Sequence, residues 1–318
     1  PASPEVESLA RQYMAIRVWS APATIGLYGI IGWLIAQERT RGVFAIQVVM
    51  NGMNIGLDIL FVLHFDYGVA GVGWATFIAE WSGLALGLWY CRDAFRGTAW
   101  RDTPRVFDRM RLTRMAVVNT DILIRSVLLQ AIFVSFLFWG ADFGDVQLAA
   151  NQILLQFLNV TAYALDGFAA AAESLVGQAL GAKNASRLRR GEILTSGWGM
   201  AICAVLALVF ALAGPAIIDI MTTAPDVQAA ARSYLPYMVA APIVGVASWM
   251  FDGIFIGATR TRDMRNMMVI SALAYFGAVI PLMWLFGDHG LWIGLLFSFI
   301  VRGITLGWKY PSLEAEAR

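Results

Sequence analysis

Nine stretches of this chain are long and apolar enough to cross a lipid bilayer, and no other feature leaves fewer folds open. They run over about residues 12–37, 42–64, 69–91, 115–139, 147–181, 193–219, 230–258, 266–286 and 290–309. A bilayer core of about 30 Å takes about 20 residues of helix. In lipid every backbone amide must be satisfied within the protein, so spans are helices or strands of a closed barrel. Barrel strands show as alternating segments of about ten residues, and none stands out here. The expectation is an all-α, polytopic membrane protein. The fifth stretch exceeds what a bilayer needs and is expected to tilt or to run past the headgroups.

Composition excludes the main alternatives. Of 318 residues, 59% are hydrophobic and 14% charged, too few to cover a soluble surface and too apolar for disorder. Twenty-three basic residues nearly cancel 22 acidic ones, leaving +1, which argues against nucleic acid as a partner. Cys91 and Cys203 give no disulfide framework and no CxxC spacing, and His64 and His289 are too few for a zinc site. No cofactor is expected. Pro1 to Leu9 read as a loop, with no cleavable signal pattern.

Basic residues alternate strictly between the connections. Arg39 and Arg41 follow the first stretch, and seven arginines lie between Arg92 and Arg114. Lys183, Arg187, Arg189 and Arg190 form a third group, Arg260, Arg262 and Arg265 a fourth, and Lys309 and Arg318 the tail. The intervening loops hold no Lys or Arg and carry Asp66, Asp142 and Asp145, Asp226, and Asp288. Eighteen of 23 basic residues thus share one side, which the positive-inside rule makes cytoplasmic. The C-terminus is expected inside and the N-terminus outside, which suggests an odd number of spans upstream.

Residues 10–78 repeat as residues 231–300. Ala10, Arg11 and Tyr13 match Ala231, Arg232 and Tyr234; Arg39-Thr40-Arg41 matches Arg260-Thr261-Arg262. Gly32 matches Gly253 and Gly56 matches Gly277; Asp66, Gly68, Phe77 and Ile78 match Asp288, Gly290, Phe299 and Ile300 after a one-residue slip. The offset is six spans, an even number, so the copies are parallel, as in some transporters. Three spans of the first copy are then missing, and a twelve-helix protein is expected, of which nine transmembrane helices are present. Residues 1–95 would be the last three helices of an N-lobe, 96–114 a basic cytoplasmic interlobe loop, and 115–318 a complete six-helix C-lobe.

Ionisable groups within spans are costly and point to function. They are Arg17, Asp58, Glu80, Asp121, Arg125, Asp166, Glu173, Asp252 and Arg302. Asp121, Glu173 and Asp252 each lie roughly 12 Å from the cytoplasmic end of a different span, at 1.5 Å per residue, so they could face one cavity. Asp166 lies deeper, on the face of Glu173; Arg125 shares a face with Asp121. A buried carboxylate can carry a proton, or Na⁺ with added carbonyl oxygens; possible Na⁺ positions are Asp121 and Asp252. The plainer reading is a static ion pair, Asp121 with Arg125 or Arg125 with Asp166. Asn151, Gln152, Gln156, Asn159 and Tyr163 add polar groups to the long helix, for a site or for interhelical hydrogen bonds. Gly-xxx-Gly pairs at Gly83/Gly87, Gly177/Gly181, Gly253/Gly257, Gly290/Gly294 and Gly303/Gly307 allow close helix approach. Pro22 and Pro242 are expected to kink their spans. Trp19, Trp33, Trp74, Trp81, Phe157 and Phe168 are read as lipid-facing or interfacial anchors before lipophilic-cation contacts.

Three segments carry a resemblance. They are Asn119 to Arg125 with Asp121; Asn151 to Gln156 continuing through Tyr163, Asp166, Gly167, Glu173, Gly177 and Gly181; and Gly253 to Arg262. Together they resemble the multidrug and toxic compound extrusion (MATE) family, DinF-like branch, over essentially the whole chain. The resemblance implies two six-helix lobes in a V working by alternating access. It implies an antiporter in a bacterial inner membrane that exports small organic compounds, lipophilic or cationic, against H⁺ or Na⁺. It also places cation-binding acids on the first and fourth helices of the second lobe, where Asp121 and Asp252 stand; the acid of the family's first helix has no counterpart here. A monomer in the lipid bilayer is expected. The alternatives are a lipid-linked oligosaccharide flippase of related fold, which would favour a cationic cavity, and a membrane-embedded enzyme. The chain has no HExxH, GxSxG or paired histidines for the latter.

Overall fold

The computed structural model describes residues 4–97 and 101–316. Two compact units divide the chain, Pro1–Asp108 and Arg109–Arg318.

The first unit opens with α1 (Pro4–Arg17), a 3₁₀ turn (Val18–Ser20) and α2 (Ala21–Ala36). The loop expected over Pro1 to Leu9 is therefore helical from Pro4 onward; Pro1 to Ser3 lie outside the described residues. Proline suits a first helical position because the lost N–H has no partner there. An Arg11–Glu7 ion pair of 2.7 Å at i,i+4 supports the turn that follows. The span Glu7–Ala36 is one helical run whose α-pattern gives way to the 3₁₀ turn directly before Pro22, which cannot donate to Val18 O; Ala21 N–H donates there instead. Next come α3 (Thr40–Asp58), ending in a π-helical segment (Ile59–His64), and α4 (Gly68–Tyr90). Two single-turn helices follow, α5 (Arg92–Phe95) and α6 (Thr103–Val106). Leu27, Leu34, Ile46 and Cys91 form the unit's small buried core.

The second unit holds α7 (Arg109–Gly140), α8 (Asp145–Gly181), α9 (Ala185–Met221), α10 (Pro225–Gly257), α11 (Thr261–Phe286) and α12 (Asp288–Glu316). The helix α7 already includes Arg109 to Arg114, which the loop reading had placed outside a span. Thr98 to Trp100 of that loop, and Arg318 of the tail, lie outside the described residues. The helix α10 packs against α8, α9 and α12, and α11 against α7 and α12. It runs unbroken through Pro236 and Pro242. One core gathers Phe136, Phe157, Tyr275, Leu291 and Trp292 toward the loops poor in basic residues; the other gathers Leu165, Val176, Leu188, Phe255 and Leu306 toward the basic loops. Phe157 is thus a core residue, 3% exposed, packed edge-on against Phe210 rather than a lipid anchor.

Among the described residues, nine helices are long and apolar enough to cross a membrane. Their outer faces show Ile220 85% exposed, Trp284 89% and Trp308 81%. Large side chains bared to this extent suit hydrocarbon rather than water. The protein is a multi-pass, all-helical membrane protein.

The close approach of α10 to α8 rests on glycine. A Cβ added at Gly253 would stand 2.4 Å from the Ala169 carbonyl oxygen, and one at Gly257 would stand 2.3 Å from that of Glu173. The Gly253/Gly257 pair on α10 therefore lies directly on the α8 backbone. Gly181, by contrast, has open space where a Cβ would go.

The two Arg-Thr-Arg turns share one backbone form, which also ends α8 at Lys183. Glu38 and Thr259, 221 residues apart, both adopt positive φ, 56° and 55°. The hydrogen bonds around them also correspond. Glu38 N–H donates to Ile35 O (3.0 Å) and Arg39 N–H to Leu34 O (2.9 Å); Thr259 N–H donates to Ile256 O (2.8 Å) and Arg260 N–H to Phe255 O (2.9 Å). Each is a left-handed helix stop, followed by a new helix starting at Thr40 or Thr261.

Candidate functional site

A cluster of buried charges joins three helices of the second unit. Asp252, on α10, is 6% exposed and Arg302, on α12, is 3% exposed. Guanidinium groups of Arg302 and of Arg125, on α7, both donate to Asp252 Oδ2. Arg302 also donates to the Ser248 carbonyl oxygen at 3.4 Å. Asp252 Oδ1 and the Nε atoms of both arginines are buried without hydrogen-bond partners. Two cations on one anion leave an excess positive charge in a low-dielectric setting, which favours a further anion nearby. Asp166 on α8 is exposed and makes no ion pair with Arg125.

Asp121 does not join this cluster. Arg265 Nη1 lies 2.5 Å from its Oδ1, and the Thr261 hydroxyl donates to its Oδ2 at 3.3 Å. Both partners belong to the first turns of α11, so Asp121 ties α7 to α11 at the end toward the basic loops. The expected pairing of Asp121 with Arg125 is replaced by these contacts, and that of Arg125 with Asp166 by Arg125 with Asp252. Both carboxylates considered for Na⁺ are thus already engaged by guanidinium groups. Among the described residues, no three His, Cys, Asp or Glu side chains come together as a metal-ligand set.

The remaining sequence-selected residues separate. Glu173 is exposed on α8, and the shared chamber expected for Asp121, Glu173 and Asp252 gives way to distinct locations. Asn151 is fully buried; its side chain donates to Asp288 Oδ1 at 3.0 Å and accepts from Trp292 Nε1 at 3.0 Å. It bonds α8 to α12 near the loops poor in basic residues, as interhelical glue. Gln152 is exposed, and Tyr163 is 75% exposed.

Sequence reasoning missed Arg265 and Thr261 as the partners of Asp121, and it missed Glu192. Glu192 is 5% exposed on α9 and accepts a hydrogen bond from Tyr310 of α12. Glu192 was overlooked because it sits within a basic loop reading; the helix α9 begins seven residues earlier, at Ala185. In the first unit, Arg17 and Glu80 pair at 3.1 Å, and the Thr24 hydroxyl donates to Glu80 at 2.9 Å.

These helices, and the buried charges that join them, can be set beside known proteins. The MatE family model matches residues 122–285. The chain belongs to the MATE family. This MATE chain is DinF-like: it is 37% identical over 314 residues to DNA damage-inducible protein F of Escherichia coli, covering 94% of this chain and 66% of that one. It is 24% identical to the probable multidrug resistance protein NorM of Rhizobium meliloti, covering 96% and 69%. It is 22% identical to multidrug and toxin extrusion protein 2 of mouse, covering 99% and 57%. The chain therefore spans about two thirds of the E. coli protein's length and a little over half of the mouse protein's. Among solved structures, a Vibrio cholerae MATE transporter, VcmN in its bent form, superposes with a TM-score of 0.86 at 19% identity, covering 99% of this chain and 71% of that one. That likeness establishes the fold.

Proposed function

We propose that this MATE protein is a secondary transporter of a bacterial inner membrane, with its C-terminus in the cytoplasm. It exports small lipophilic or cationic organic compounds in exchange for H⁺ or Na⁺, by alternating access and without a cofactor. The observation that carries the reading is the Arg125–Asp252–Arg302 cluster joining α7, α10 and α12, with Asp166 an exposed acid on α8, which packs on α10. A static scaffold has no need of two arginines on one buried aspartate with three polar atoms left unpartnered.

The mechanism follows from competition for Arg125. With Asp166 charged and free, Arg125 is drawn between two carboxylates. A proton or Na⁺ at Asp166 removes one attraction and commits Arg125 to Asp252, which locks α7 to α10. A cationic substrate at Asp166 competes with the coupling ion for the same charge, and that competition is antiport. Na⁺ at Asp252 itself is disfavoured, because two guanidinium groups already repel a third cation there. Glu173, on the same helix face as Asp166, is the second carboxylate available to the ion.

The test uses the full-length protein in proteoliposomes with a pH or Na⁺ gradient imposed separately. Asp166→Asn is expected to abolish gradient-driven dye export while leaving the protein folded, since Asp166 is exposed. Wild-type export by this variant under both gradients would overturn the reading.

A further inference from the structure

Beside the charged cluster, and independent of the transport reading, a groove runs along α9, α10 and α12. Its apolar part is a cavity of about 200 Å³ lined by Ser196, Met200, Val246, Met250, Phe251 and Ile254. It continues into one of about 310 Å³ that shares Ser196, Phe251 and Ile254 and ends at Arg189, Glu192 and Tyr310. From Arg189 to Met200 the groove covers eleven residue steps of α9, or about 16 Å at 1.5 Å per residue. One leaflet of a bilayer core is about 15 Å deep. The polar end belongs to the basic, cytoplasmic side, so the groove has the length, polarity and direction of one phospholipid standing in the inner leaflet.

The polar end distinguishes lipid classes. Arg189 is exposed, and among the described residues it forms no ion pair, so its guanidinium can take a phosphate. Glu192 Oε2 is engaged by Tyr310, but Oε1 is buried without a partner. A buried carboxylate oxygen lacking a donor is costly, and a primary ammonium would satisfy it. Phe251 and Tyr310, 6.2 Å apart, add ring faces that favour a cation. A headgroup with only negative charge would gain from Arg189 but be repelled by Glu192. We propose that this groove binds a phospholipid carrying both a phosphate and a primary ammonium, of the phosphatidylethanolamine class, with the phosphate on Arg189, the ammonium at Glu192 and an acyl chain along Met200 and Met250.

Full-length protein in mild detergent is titrated with phosphatidylethanolamine, phosphatidylglycerol or tetraphenylphosphonium, and bound species are read by native mass spectrometry. Phosphatidylethanolamine is expected to bind about tenfold more tightly than phosphatidylglycerol. Arg189→Ala, at an exposed position that does not threaten the fold, weakens it by about the same factor, as one lost charged contact would. Ser196→Trp, which fills the groove, removes binding, and Glu192→Gln erases the preference between the two lipids. Equal affinity for the two lipids, or binding unchanged by Arg189→Ala and Ser196→Trp, overturns the assignment. So does a groove in which only tetraphenylphosphonium binding responds to these changes.

Discussion

Asp252 owes its place to residues far away in sequence. Its partners lie 127 residues back, at Arg125, and 50 ahead, at Arg302. The carboxylate itself was legible as a charge inside an apolar stretch, but its partners were not, since pairing across helices depends on which faces meet. Removing the only partner of a buried charge costs about 3–5 kcal/mol. Arg265→Leu, which leaves buried Asp121 with only the neutral Thr261 hydroxyl, is therefore expected to lower the thermal midpoint more than Arg302→Leu, after which Asp252 keeps Arg125. Melting curves of both variants in detergent check this order. A second residue-scale prediction concerns Thr259, a β-branched residue at φ 55°. Left-handed backbone costs a non-glycine residue about 1–2 kcal/mol, so Thr259→Gly should stabilise the protein by about 1 kcal/mol, measured as a raised midpoint.

At the scale of elements, the α8–α10 contact decides how far the second unit tolerates change. Gly253 and Gly257 press on the α8 backbone, which cannot rotate away as a side chain can. Gly257→Ala is expected to destabilise by at least about 2 kcal/mol, as overpacking does, whereas Gly181→Ala, with open space around it, should be neutral or mildly stabilising. Parallel melts of the two variants test this. The Gly-xxx-Gly spacing was visible in sequence for both pairs, but it does not say which glycine meets a partner. Helix ends were likewise only partly legible. The helices α7 and α9 extend past their apolar stretches because charged first turns leave the bilayer yet keep helical hydrogen bonds, which placed Arg109 to Arg114 and Glu192 on helices. The π-helical end of α3 left no signal of its own in the residue pattern.

At the scale of the whole molecule, the spans and the repeat were legible because both are written in one-dimensional signals. Apolar length gives the spans, and the Arg-Thr-Arg turns give the repeat, both turns opening on a residue at positive φ, Glu38 and Thr259. The division of acids into an α7–α11 tie at Asp121 and a separate cluster at Asp252 was not legible, because equal depth in neighbouring spans says nothing of azimuth. That division concentrates the proposed coupling on Asp166 and Arg125. If ion and substrate compete there, each must weaken the other's binding by the same factor. The direct measurement is cation release on adding tetraphenylphosphonium to the full-length protein in weakly buffered detergent, followed by a pH indicator and a Na⁺ electrode. The account predicts release of H⁺ or Na⁺ from the wild type and none from Asp166→Asn. Substrate binding with no cation released, or release undiminished in Asp166→Asn, would contradict it.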